Sequence, residues 1–541
     1  MKKYIGFSVL LMAAISAGAQ DSTGRQVKIT SVFQPVLKEA AKINFNASPA
    51  AVDTSTPRLQ YNIPNQNLNF AFQPGTLKPL ALQVDTAGNW PNESYVKLGF
   101  GNLSTPFGQV GLSVGDGKTA GLNVYGQHVS SKGKLPYQDY SHTNIDLNAF
   151  FQSGGNQEWN ARFGAVQDKH NRYGFDTATV MIPEDSLRVK LQTWSGRVSV
   201  HNINRTELGI SYAPELRVDA FSDQNSNSES NTYINLPLQK TIGEEFAADL
   251  VVTASLSRFK PDNKGDISNN FITISPAVIY KASNLYLKAG IRPGWDKSSF
   301  KLFPNIMAEF SSTDERFSFQ AGWSGNYRNS GYQYMAGVNP YLLAPDSVYN
   351  SGIEERYAGF KGSAGDHFTY SVRAAYNKIT NQPLFTNDTS AAGNAFMVMN
   401  EPVLKVLNFG GELGFNIGEK FSLLTNLQFN QYKPEQNEKA WGLLPLEFRT
   451  NMRLQVMKDL YVTGDLFAFD GPWYMLKGGG KESLQGGMDL SGGVEYKVHN
   501  NVRLWAQFNN ILNKEYQRWN QYPVYGFNFL GGVVISFPQN R

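Results

Sequence analysis

Cysteine is absent from the sequence. That excludes disulfides, Cys-ligated metals and a lipid anchor on an N-terminal thiol, and it suits a chain crossing an oxidising compartment. Histidine is scarce: His128, His142, His170, His201, His367 and His499 are scattered, with no second His at metal-ligand spacing. No G-x-S-x-G or comparable nucleophile setting occurs. The run Lys260–Asp266 has two Asp but no Glu at a twelfth position, which makes it an ordinary Gly/Asp loop. Neither an enzyme, a cofactor nor a metal site is expected. Charged residues are only 17% of the chain, the net charge is +4, and no basic block exists, so nucleic acid has no electrostatic footing.

Long apolar runs are missing as well. Lys2 and Lys3, the apolar stretch Tyr4–Ile15 and the small residues Ala17, Gly18 and Ala19 read as a signal peptide cleaved after Ala19. Nothing after it approaches the ~18–20 apolar residues that a transmembrane helix needs. A membrane-embedded mature chain must then be a closed barrel, because only helices and barrels satisfy their backbone in lipid.

What is present fits that alternative. Gly, Asn, Tyr and Phe abound, and mean hydropathy is negative, as when apolar and polar residues alternate. Residues 20–93 carry many Pro, Asn, Gln and Ala residues and little periodicity, and are expected to be irregular, with a short helix near Val36–Ile43. From Ser94 to Phe537 the period is 2. Val96, Leu98 and Phe100 alternate with Lys97 and Gly99, and Ile145, Leu147 and Ala149 with Asp146 and Asn148. Short links such as Gly115–Lys118, Ser153–Asn156 and Val498–Asn501 alternate with long polar ones such as Gln167–Arg188, Asn329–Ile353, Lys378–Pro402 and Asn513–Tyr525. Tight periplasmic turns alternating with long external loops mark an up-and-down barrel in an outer membrane. The expected fold is all-β: one large transmembrane barrel of about 22 antiparallel strands over 94–537, with a tail at 538–541. Merging across Leu103–Pro106 or Asp296–Ser299 would give 20.

The C-terminal run Arg503–Tyr516, with Asn510, Leu512, Lys514 and Tyr516, followed by a strand ending on Phe537, resembles the last two strands of TonB-dependent receptors. Asn339-Pro340-Tyr341-Leu342 is similar to that family's N-P-x-L segment. The resemblance covers the barrel and implies 22 strands. It does not extend to the family's plug domain or TonB box, for which residues 20–93 are too short. The resemblance therefore points to a plug-less subgroup, without energised transport or siderophore binding carried over.

Val533, Ile535 and Phe537, on one face, are expected to close the barrel against the first strand and to resemble the signal read by the barrel-assembly machinery. Trp159, Trp295 and Trp505, with Trp194, Trp323 and Tyr357, are expected at the lipid–water interfaces. A lumen of this size needs filling. Residues 20–93, with inward-folded loops such as Asn329–Ile353, are the expected filling; the polar stretch Tyr61–Gln83 would meet Lys97, Asn123, Asp146 and Arg162. The functional expectation is an outer-membrane barrel for passive or partner-gated solute transport. The alternative is a structural or assembly component docking periplasmic or lipoprotein partners.

Overall fold

The structure, a computed structural model, describes residues 93–538 apart from Asn263, Ser298, Glu315 and 389–392. The expected signal peptide and irregular segment, residues 1–92, and residues 539–541 lie outside the described residues. The main sheet is a single antiparallel ladder of 24 segments. Two of these are interruptions: Ile210–Tyr212 runs into Glu215–Ser222, and Ile267–Ser268 precedes Phe271–Lys281. Counted as staves, the ladder has 22, each beside its chain neighbour. The cylinder closes where Glu93–Gly101 pairs with Asn528–Pro538, from Glu93↔Pro538 to Gly101↔Leu530. Pro538, expected in the tail, is thus the last rung of the ladder.

Strand alternation follows the two solvents. In Phe271–Lys281 the residues Phe271, Thr273, Ser275, Ala277 and Ile279 are buried, while Ile272, Ile274 and Val278 face outward and are exposed. Leu98, Phe100, Leu112, Val114 and dozens of other large apolar side chains are exposed in the same way. In water that much apolar surface would cost ~25 cal/mol per Å²; in lipid it is the stabilising face. The inner face carries cross-strand ion pairs, among them Lys288–Asp249 and Arg373–Glu355 at 2.6 Å and Lys361–Glu309 at 3.1 Å. Pairing is what a charge needs in a crowded interior.

One rim consists of tight turns, among them 116–119, 154–156, 243–245, 365–367 and 500–501. The other carries the long connections 132–139, 172–187, 331–348, 435–445, 470–486 and 510–527. The two links short enough to merge strands, 102–104 and 297–298, are genuine reversals on the long-loop rim. They turn through left-handed Leu103 (φ 58°), Ser104 (φ 51°) and Lys297 (φ 54°), an uncommon conformation for such residues. The count is therefore 22 and not 20.

The expected loop Lys378–Pro402 is mostly strand. Phe368–Asn387 and Phe396–Ile417 stay paired from Phe368↔Phe415 to Asn387↔Phe396, far longer than the ~10 residues a crossing needs. From Gln382 to Asp388 every residue is buried. A strand covered on both faces loses its period-2 signature, and so reads as irregular.

Candidate functional site: the closed outer mouth

The largest buried cluster among the described residues lies at the long-loop rim, where loops meet the wall. Val189, Leu191, Phe221 and Phe259 come from one sector of the wall and Phe385 and Phe396 from another. Tyr332, Met335, Ala336, Leu342 and Val348 come from the loop 331–348, and Trp519 and Tyr522 from the loop 510–527. Loops from separate sectors thus meet over the lumen and form a lid.

The lid's centre is the helix Tyr332–Val338, whose buried face is Tyr332, Met335 and Ala336. Its start lacks a side-chain cap of its own. The wall residue Glu229, 2% exposed, supplies one instead: its carboxylate accepts from Gln333 N at 2.9 Å and Ser257 Oγ at 3.2 Å. A negative charge there also suits the helix dipole. Tyr332 Oη donates to Asp223 at 2.8 Å, and the ring lies edge-on to Phe221 at 5.1 Å. Burial and Asp223 hold the Tyr332 phenol well above its usual range. Pro340 prevents the helix from continuing.

Asn339-Pro340-Tyr341-Leu342 is the hub of the lid. Asn339 Oδ1 accepts from Tyr341 N at 3.0 Å, which sets the turn. Pro340 O lies 3.0 Å from His170 Nε2 on the wall. Tyr341 stacks on Tyr522 with centroids 3.5 Å apart, and Tyr173 meets Tyr522 edge-on at 5.0 Å. Leu342 bridges to Phe396, with Leu343 N donating to Phe396 O at 2.8 Å.

The loop 510–527 is pinned at its base by Asn510, 1% exposed. Asn510 Nδ2 donates to Lys514 O and Tyr525 O, both at 2.8 Å, and Asn510 Oδ1 accepts from Lys514 N at 3.1 Å. Tyr516 Oη donates to Asp489 at 3.2 Å and packs against Phe469. Leu512 points outward and is exposed. Of the segment expected from the family resemblance, Asn510 and Tyr516 thus hold the loop's shape.

Beneath the lid is a cavity lined by Arg328, Tyr334, Phe385, Leu404, Asn430, Tyr432, Glu447 and Arg518, among others. Arg328 donates to Gln382 Oε1 at 2.9 Å and lies over the Tyr334 ring at 4.8 Å. Glu447 is paired with Arg449 at 3.5 Å. Arg518 hangs from the lid over the Trp519 ring at 4.1 Å, and burial holds its guanidinium down to about 10. None of Glu229, Arg518, Trp519 or Tyr522 stands out in the sequence; the one trace is the density of aromatics in two long loops.

The other expected residues fall on the wall. Phe537 pairs with Ser94, Ile535 with Val96 and Val533 with Leu98, with Ile535 and Phe537 exposed on the outer face. Trp159 stacks on Phe151 near a tight turn, and Trp295 lies 5.5 Å from Phe300 at the opposite rim, both on the outer face. Trp505 is a correction. It is 5% exposed and faces the lumen, under Lys97 Nζ at 4.2 Å and edge-on to Phe107 at 5.3 Å, while its neighbour Leu504 is the outward residue. Its place near a strand end does not decide its face; parity does. Among the described residues no group of three or more His, Asp or Glu side chains could hold a metal.

No protein-family model and no curated protein matches the sequence. Solved structures do match its shape. The FrpB iron transporter from Neisseria meningitidis aligns over 84% of this chain and 82% of its own, with TM-score 0.62 and 11% identity. The siderophore receptor PirA from Acinetobacter baumannii aligns over 82% and 80%, with TM-score 0.61 and 10% identity. The ferripyoverdine receptor of the outer membrane of Pseudomonas aeruginosa aligns over 82% and 72%, with TM-score 0.60 and 10% identity. At such identities the likeness shows a shared fold, that of the outer-membrane receptor barrel.

Proposed function

We propose that this chain is an integral outer-membrane barrel that admits a solute through a mouth held shut at rest by its own loops, and that a partner or ligand opens it. The observation that carries this reading is the aromatic lid. A passive pore needs an open mouth, whereas here loops from separate sectors bury a common apolar cluster over the lumen. The names of proteins sharing the fold, an iron transporter and siderophore receptors, support solute import as the class of activity. Residues 20–93 are proposed to fill part of the lumen, and Val533, Ile535 and Phe537 to guide insertion by the barrel-assembly machinery.

Planar-bilayer conductance tests the transport reading. The whole chain is expected to be nearly silent, and replacing residues 333–341 with a short Gly-Ser link to give stepwise current. If only the combined removal of 333–341 and 24–90 conducts, both segments block the path. Silence in every variant would overturn transport. It would favour the second reading, a structural component docking a periplasmic or lipoprotein partner, which a sealed mouth serves equally well and which stoichiometric co-purification of that partner would support.

A further inference from the structure

The cavity under the lid contains a buried guanidinium with open hydrogen-bond donors. Arg518 is 8% exposed, yet its Nε and Nη1 have no hydrogen-bond partner. A buried guanidinium left so is unfavourable in an interior. The other charges of the cavity leave those donors unbonded. Glu447 acts on Arg518 through space but makes its contact with Arg449, and Arg328 adds a second positive charge whose hydrogen bonds go to neutral groups. The rest of the lining divides by chemistry. Leu404, Val406 and Leu444 offer an apolar wall, and Asn430 and Tyr432 add polar groups. Open guanidinium donors on Arg518 beside aliphatic side chains match a carboxylate with an apolar body.

We propose that the space beneath the lid is a binding site for a small organic carboxylate, its anionic end on Arg518 and its apolar end toward Leu404 and Val406. Arg518 belongs to the lid loop and Leu404 to the wall, so the ligand would bridge the two and bind slowly, entering only when the loops part. The site stands whether or not the barrel conducts. Its failure would leave the gated-transport reading in place, and silence in the bilayer would leave the site in place.

Trp519 lies directly under the Arg518 guanidinium and reports on it. Tryptophan emission of the full chain in detergent, after long incubation, would be titrated with hexanoate, hexanol and inorganic phosphate. Hexanoate is expected to give a saturable change, and the other two none. Arg518→Gln is expected to weaken hexanoate about tenfold or more, as loss of a charged hydrogen bond implies. Glu447→Gln, which removes a nearby negative charge, is expected to tighten it. These opposite shifts cannot both come from a loosened fold, and Glu447→Gln alone keeps the test alive should Arg518→Gln fail to fold. No saturable response to hexanoate overturns the proposal, as does binding indifferent to both substitutions. Hexanol binding equally well would make the pocket merely apolar, and phosphate equalling hexanoate would make it a general anion site; either overturns the carboxylate assignment.

Discussion

Asn510 and Glu229 show how much of the mouth depends on single polar side chains. Asn510 joins both ends of the last loop through two donors and one acceptor, and no aliphatic residue reproduces that. Asn510→Ala is expected to cost about 1–3 kcal/mol, the usual penalty for stranding buried polar partners. A lower urea midpoint for loss of the folded, heat-modifiable band in detergent would register it; an unchanged midpoint would contradict the clamp. Glu229→Ala should act on the lid alone, leaving Gln333 N without its acceptor. Trypsin-independent cleavage of 331–348, for instance by chymotrypsin at Tyr332 or Tyr334, should accelerate while the barrel stays heat-modifiable. Gly331→Ala should have the same effect from the other side, since an added Cβ would strike the Glu229 carboxylate.

At the scale of the element, the closing seam is the most demanding. Gly532 sits so near the first strand that a Cβ would strike Leu98 O and Gly99 Cα, and Gly99 lies beneath the Trp505 indole. Gly532→Val should therefore prevent the first and last strands from pairing, with the heat-modifiable species lost from outer-membrane fractions. Phe537→Ala should instead slow insertion and leave the stability of inserted barrel nearly intact. The turn at 116–119 adds a dependence on pH. Asp116 accepts backbone hydrogen bonds from Lys118, Thr119 and Ala120, which hold its carboxyl well below its usual range. A depressed pKa stabilises above the unfolded value and is lost as pH falls through the folded one. Asp116→Ala should thus weaken the hairpin at neutral pH, and the difference should vanish in strong acid. Elements with one face in lipid, such as Phe271–Lys281, were legible from alternation alone. Gln382–Asp388 was not, because burial on both faces erases the pattern, and Trp505 was not, because closeness to a strand end says nothing of its face. The inward folding of Asn329–Ile353 was expected, but the contacts of the lid were not: they join His170, Tyr341, Phe396 and Tyr522, positions without any local periodicity.

For the whole molecule, the cylinder and its cover share one connection. The loop that carries Trp519 and Tyr522 into the lid is also the link that delivers the last strand to the first, where Phe529 N donates to Asn102 Oδ1 at 2.9 Å across 427 residues of chain. Contacts so distant in sequence are the slowest to form, since their closure entropy must be met before any of them contributes. The cover is therefore complete only once the cylinder is sealed. During biogenesis the outer end would stay open until the final hairpin is in place, then shut in the same event. Protease resistance of 331–348 should appear no earlier than the heat-modifiable band in a pulse-labelled time course, making the mouth a built-in signal that assembly is complete.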